Sequence, residues 1–359
     1  MNKAIALSIL VSSAPAAADV ELDPCACSPN KPGFHRADAL SGDWGGLRSD
    51  LFEDGIKVTA AYAPEVFAAP GQDDERIVNA GLASLAIDFE LDKLIDDNLG
   101  AIRISAFGIH GKGLQLMDIY GTSNNVATED VRLFEAYVDQ PIGPFAIRAG
   151  LLSADQEFII AEHSTVLLNA TFGIIALMPN NFGGPVYPQA TPGVSARLES
   201  DAVTVRAAVY DGDRIEEHGI PQELAGSAMI MGEVESHGFK LGAWHHTALG
   251  SGYYGVMSRQ VAKRLGAFAR VGIAPDQDIP LYADVGFRFG PGGVWKKRKK
   301  DFFSMGLAFA QSSLGAQTAI EMTYQILITG WLTIQPDLQL ALKRDGTDGV
   351  VATRAVIAF

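Results

Sequence analysis

From residue 56 to the last residue, the chain runs in short segments of about ten residues in which apolar and polar side chains alternate. A period of two puts one kind of side chain on each face of an extended strand. The segment from Leu332 to Lys343 is the clearest. Leu332, Ile334, Pro336, Leu338, Leu340 and Leu342 fall on one face, and Thr333, Gln335, Asp337, Gln339 and Lys343 on the other. A soluble sandwich also hides one face of each sheet, but it needs a second sheet of matched size. Here the apolar face recurs on nearly every segment and no partner layer follows. A sheet that is greasy on its outside closes on itself in lipid, where closure pairs every backbone group and leaves no edge. The expected fold is all-β: a transmembrane, antiparallel, up-and-down β-barrel.

The pattern gives about sixteen strands, an even number as bacterial barrels require. They are expected at 56–69, 79–94, 100–111, 131–142, 144–154, 191–200, 203–213, 225–237, 239–248, 252–264, 265–275, 279–290, 301–313, 316–329, 331–344 and 349–359. Long connections at 112–130, 155–190 and 214–224 are set off by tight ones such as Pro141–Gly143, Ser200–Ala202 and Thr329–Gly330. Short periplasmic turns and longer outer loops produce such an asymmetry. The 38 glycines suit a strand-dense chain with many turns better than a helical one. No stretch after the leader holds 18 consecutive apolar residues, so no spanning helix is expected.

The N-terminus has the form of an export signal. Lys3 supplies the positive start, Ala4 to Val11 the apolar stretch, and Ala16 to Ala18 the small residues before a cleavage site. The expected organisation is a signal peptide at 1–18, a periplasmic segment at 19–55 and a barrel at 56–359. Within the middle segment, Leu47, Leu51 and Phe52 are spaced for a short amphipathic helix between Trp44 and Asp54. The chain ends on an aromatic, Phe359, as do chains folded by the outer-membrane barrel assembly machinery. That machinery and outer-membrane lipid are the expected partners in biogenesis, in a Gram-negative outer membrane.

Charge narrows the function. Lys and Arg number 28 and Asp and Glu 42, so the net charge is 28 − 42 = −14, which argues against nucleic acid as a partner. The basic run Lys296 to Lys300 is read as a solvated periplasmic turn, with an anionic partner or lipid head group as its alternative. Cys25 and Cys27 are too few for a disulfide framework and precede every strand. Asp155, Glu162 and His163 lack the spacing of a metal site. No metal or other cofactor is expected.

If the apolar face meets lipid, the other face lines the lumen. It then carries Glu65, Asp88, Glu90, Arg103, Glu135, Tyr137, Asp139, Arg148, Arg197, Arg206, Arg270, Asp284, Arg288, Glu321, Gln325, Gln335, Asp337 and Arg354. Unpaired charges in a dry core are costly, so this lumen holds water or an ion-pair network. Sixteen strands enclose more space than side chains fill, which favours water. Guanidinium forks, carboxylates and aromatic faces suit polyhydroxylated solutes. The connection 155–190 is long for a compact barrel and is expected to fold inward as a constriction.

Several ordered motifs resemble the carbohydrate-selective porins of the OprB type. They are Ser41-Gly-Asp-Trp-Gly-Gly-Leu-Arg48 with Asp54-Gly-Ile56, Arg148-Ala-Gly150 leading to Asp155-Gln-Glu-Phe158, Leu168-Asn-Ala-Thr-Phe-Gly173, Pro185-Val-Tyr-Pro188, Ala190-Thr-Pro-Gly-Val194, and Tyr324 with Trp331 to Gln339. The similarity spans about residues 40–359. It implies a monomeric barrel of sixteen strands whose narrow charged constriction passes monosaccharides and similar small polar solutes by diffusion. It also implies an arginine and acidic residues at that constriction. By position and facing, the candidates are Arg103, Glu135, Arg148, Asp155 and Glu157. The outer loops 70–78, 249–252 and 345–348 are short for such a protein.

Two other functions compete. One is a general diffusion porin without sugar selectivity. The other is an outer-membrane hydrolase barrel, which needs a nucleophile and a base. His245 and Ser251 are the nearest approach, and alternation puts His245 on the lipid face near the outer end of a strand.

Overall fold

The computed structural model describes residues 39–359 apart from 71–76, 96–98, 117–118, 213–225, 292–297, 299, 314 and 344–345. The expected signal peptide, Cys25 and Cys27, the whole of loop 214–224, and Lys296, Lys297 and Lys299 lie outside the described residues.

The chain enters through a 3-10 turn at Trp44–Gly46 and helix α1 (Leu47–Glu53). It then runs through β1 (Ile56–Ala68), β2 (Ile77–Glu90), helix α2 (Leu91–Leu94), β3 (Ala101–Gly111) and the two-residue strands β4 (Gln115–Leu116) and β5 (Tyr120–Gly121). Next come β6 (Asp130–Ile142), β7 (Phe145–Leu152), helices α3 (Ala170–Gly173) and α4 (Leu177–Phe182), β8 (Thr191–Glu199) and β9 (Thr204–Asp211). The chain continues with β10 (Ala228–Ser236), β11 (Phe239–His246), β12 (Gly250–Ala262), β13 (Leu265–Ile273) and β14 (Leu281–Phe289). It ends with β15 (Phe302–Ser312), β16 (Gly315–Leu327), β17 (Leu332–Lys343) and β18 (Gly346–Ala358).

Among the described residues sixteen strands close into one antiparallel barrel, with β4 and β5 forming a separate ribbon. Each barrel strand pairs with its neighbour in sequence, and β18 returns to pair with β1, Glu65 standing opposite Arg354. The expected strands are all present, with ends shifted by a few residues. The largest difference is at 91–94, expected as strand and found as one helical turn. Glu90 and Ala101 form the last rung of the β2–β3 ladder, so the chain beyond has no partner strand and turns.

The two-residue period is visible in burial. On β17, Gln335, Asp337, Gln339 and Ala341 are buried, while Pro336, Leu338, Leu340 and Leu342 are exposed. Exposed Val, Ile, Leu and Phe recur around the wall, for example Ile104, Val138, Val194, Val209, Leu241, Val271, Val285, Leu307 and Val351. This apolar exterior is the band that meets hydrocarbon. Glycine serves the interior. The Trp244 ring lies against Gly252 on the facing strand, and the Tyr254 ring against Gly242, leaving no space for a Cβ at either glycine.

Candidate permeation pathway

The lumen is narrowed by two loops. The long β7–β8 connection, 153–190, turns inward and buries Phe158, Ile159, Leu167, Phe172, Ile175, Leu177 and Met178. They pack on inward side chains of the wall from β9 to β14, including Tyr210, Met231, Trp244, Tyr254, Phe268 and Tyr282. A loop inside a barrel carries backbone groups that no strand satisfies. Wall side chains satisfy them here. Glu321 accepts from the amides of Leu168 (2.5 Å) and Asn169 (2.9 Å), and Glu233 accepts from that of Ile159 (3.0 Å). Arg270 donates to the carbonyls of Thr171 (2.9 Å) and Gly173 (3.0 Å), Lys240 to Ile160 (2.7 Å) and Gln335 to Val166 (2.6 Å).

A second inward loop, 112–129, stands beside it. Ser123 Oγ donates to Glu65 (2.7 Å), Arg354 donates to Asn124 Oδ1 (2.7 Å), and Gln339 donates to the Thr122 carbonyl (2.8 Å). The two loops are tied together. The Asn124 amide donates to the Leu168 carbonyl (2.7 Å), and the Tyr187 hydroxyl to the Asn125 carbonyl (2.7 Å). Between them lies a cavity of about 160 Å³ that includes Asn124, Gln156, Thr165, Asn180 and Tyr187 in its lining.

The inward charges therefore divide into two groups. Glu65, Arg270, Asp284, Glu321, Gln335, Asp337 and Arg354 are fully buried and hold loops or one another. Asp284 accepts from Arg270 (2.5 Å) and Tyr282 (2.7 Å), and Asp337 accepts from Gln339 (2.8 Å). The second group keeps water contact. Arg103 pairs with Asp88 (2.8 Å), Asp139 takes both Arg148 and Arg197 (2.8 Å each), and Arg206 takes Glu235 (2.8 Å). These side chains stay 12–24% exposed, whereas Arg270, Asp284, Glu65 and Arg354 are at 0%. The accessible group occupies one continuous arc of wall, β2 to β10 through β3, β6, β7, β8 and β9.

The five expected constriction residues separate along the same line. Glu157 reaches back from the long loop to Arg148 (2.8 Å) and accepts from Ser195 Oγ (3.0 Å). Arg148 also lies over the Tyr137 ring, 4.4 Å from its centroid. Arg103, Arg148 and Glu157 thus face the accessible arc. Glu135 is buried behind them and accepts from the Ser153 amide (3.3 Å). Asp155 turns into its own loop, accepting from Ser153 Oγ (2.5 Å) and the Tyr187 amide (3.1 Å). Burial there pushes its carboxyl up from its ordinary value. Of the remaining expected lumen residues, Arg288 is half-buried over the Phe302 ring (5.2 Å), Glu90 takes Lys93 (2.5 Å) at the β2–β3 turn, and Gln325 is buried on β16.

Glu233, Glu235 and Lys240 were not singled out from the sequence. Glu233 also accepts from Arg206 (3.0 Å) and Tyr254 (3.0 Å), and Lys240 from the wall meets loop residue Glu162 (3.0 Å). Burial alone would raise Glu162, but the Lys240 ammonium outweighs it and holds that carboxyl below its ordinary value. The signal was present, since Met229, Met231 and Glu233 share one face of β10, and Lys240 and Trp244 one face of β11. Asp155, Glu162 and His163 bond to different partners and form no common centre. His245 is exposed and bonds Ser251 across the β11–β12 hairpin (2.8 Å).

No curated protein sequence matches the chain. Among solved structures, it is similar to Pseudomonas putida OprB determined at high pH, with a TM-score of 0.81 at 17% identity, over 91% of this chain and 99% of that one. The low-pH structure of the same protein gives 0.66 at 17% identity, over 91% of this chain and 100% of that one. A mutant Rh. blastica porin gives 0.55 at 9% identity, over 85% of this chain and 100% of that one. The sequence model of the carbohydrate-selective porin, OprB family, matches residues 74–252 and 247–358. The chain belongs to the OprB family of carbohydrate-selective porins, channels of the Gram-negative outer membrane rather than enzymes.

Proposed function

We propose that small neutral sugars cross this barrel along the accessible arc from β2 to β10, narrowed by Glu157 against Arg148, with Arg103, Asp88, Asp139, Arg197, Arg206 and Glu235 lining the way. The observation that carries this reading is the pairing of every one of these groups. Each guanidinium lies within 3 Å of a carboxylate. The arc is rich in fixed donors and acceptors yet locally near neutral, so it offers hydroxyls many hydrogen bonds without strongly concentrating either sign of ion. Tyr137, buried under Arg148, backs that guanidinium from the wall side. Glu135 and Asp155 act from behind, fixing the base of the long loop. Outer-membrane lipid surrounds the apolar band, and the barrel assembly machinery is the expected partner in insertion.

Liposome swelling tests the assignment. Wild-type protein is expected to admit a monosaccharide many times faster than a trisaccharide. Glu157→Ala is expected to narrow that ratio, because it removes the loop's contribution to the narrowest point. An unchanged ratio in Glu157→Ala and Arg148→Ala together would remove these residues from the pathway.

A further inference from the structure

We propose that the periplasmic rim from β11 to β15 binds the anionic head groups of phospholipids in the facing leaflet of the membrane. Two arginines on the lipid side of the wall point to it. Arg259 on β12 lies over the ring of Phe239 on β11, 5.3 Å from its centroid, and both are exposed. Arg264, in the next turn, lies over the ring of Phe289 on β14 at 4.8 Å. Phe239 and Phe289 alternate with inward residues and so belong to the outer face. A guanidinium held over a lipid-facing ring keeps its stem in the apolar region and its charge at the level of the head groups.

The surroundings are basic and continuous. Lys263 stands exposed between the two arginines, and Lys300 is exposed at the foot of β15. The turns are joined, for the Gly290 amide donates to the Arg264 carbonyl (2.9 Å). From 237 to 300 the sequence holds three acids. Asp276 and Asp278 are in the outer loop before β14, and Asp284 is paired inside the lumen. Asp301 is taken by Arg298 (2.8 Å). In a chain of net charge −14 this rim is a local reversal of sign, contiguous with the apolar band. Phosphates fixed in the leaflet that touches that band complement it in charge and in height.

The test uses the full protein reconstituted in phosphatidylcholine nanodiscs containing spin-labelled phosphatidylglycerol or spin-labelled phosphatidylcholine. The immobilised fraction of each lipid is read by electron paramagnetic resonance. Wild type is expected to prefer phosphatidylglycerol on the order of tenfold at the strongest sites. Arg259→Gln/Lys263→Gln/Arg264→Gln is expected to lose most of that preference, and Lys343→Gln at the outer rim to keep it. If the triple variant fails to insert, raising salt on wild type must reduce the preference by screening. Millimolar glycerol phosphate is expected not to compete; competition would make a free phosphate the ligand and overturn the lipid assignment. A wild type that does not distinguish the two lipids, or a folded triple variant that still does, would also overturn it.

Discussion

Glu65 on the first barrel strand and Arg354 on the last, 289 residues apart, form a fully buried ion pair across the seam where the barrel closes. The same pair holds the inner loop. Glu65 accepts from Ser123 Oγ (2.7 Å), and Arg354 donates to Asn124 Oδ1 (2.7 Å). Closing the wall and narrowing the lumen are thus joined at one point.

Breaking that pair from one side leaves a charge buried without its counterion, which costs about 3–5 kcal/mol. Arg354→Met is expected to lower the temperature at which the folded band is lost in heat-modifiability gels. Glu65→Gln/Arg354→Met is expected to recover most of the loss, because no lone charge remains. Equal destabilisation of single and double variants would show that the pair is replaceable packing.

Acid should loosen the long loop at His163. Its ring is buried against Gly266, and burial, then the nearby Arg288, lowers its pKa. A depressed folded value means the neutral ring is favoured in the folded state. The stability is fully present above the unfolded value of about 6.5 and is lost as pH falls through the lower folded value. Hydrogen exchange in the loop around His163, corrected for intrinsic rates, is expected to speed up between neutral and acidic pH. His163→Gln is expected to remove that step.

Gly252 should not tolerate a side chain. Trp244 occupies the space a Cβ would take, so Gly252→Val forces the indole off the inner wall at a cost of about 1–3 kcal/mol. Urea unfolding followed by tryptophan fluorescence would show it as a lower midpoint. Gly143→Ala, in an open turn, carries only the cost of a positive φ and meets no neighbour, so its midpoint is expected to fall less.

The wall was legible because alternation fixes both strand and facing. The β17 sequence assigns Gln335 and Leu338 to opposite faces without reference to any other strand. The inner architecture was less so. Loop 153–190 announced itself by length and apolar content, whereas loop 112–129 is shorter and is fastened by Ser123 and Asn124, which look like ordinary turn residues. Nor does facing tell an anchor from a pore residue. Arg270 and Arg148 both point inward, yet one is sealed under Thr171 and Gly173 while the other borders the open arc. That difference is set by where the loops settle, a matter of long-range packing.

Single-channel recording in planar bilayers, with glucose titrated against wild type and Arg148→Ala, tests the central claim most directly. A narrow path lined by Arg148 predicts a small wild-type conductance that falls saturably with glucose. In Arg148→Ala it predicts a larger conductance and a weaker block. A large wild-type conductance indifferent to glucose, with Arg148→Ala unchanged from it, would contradict the account.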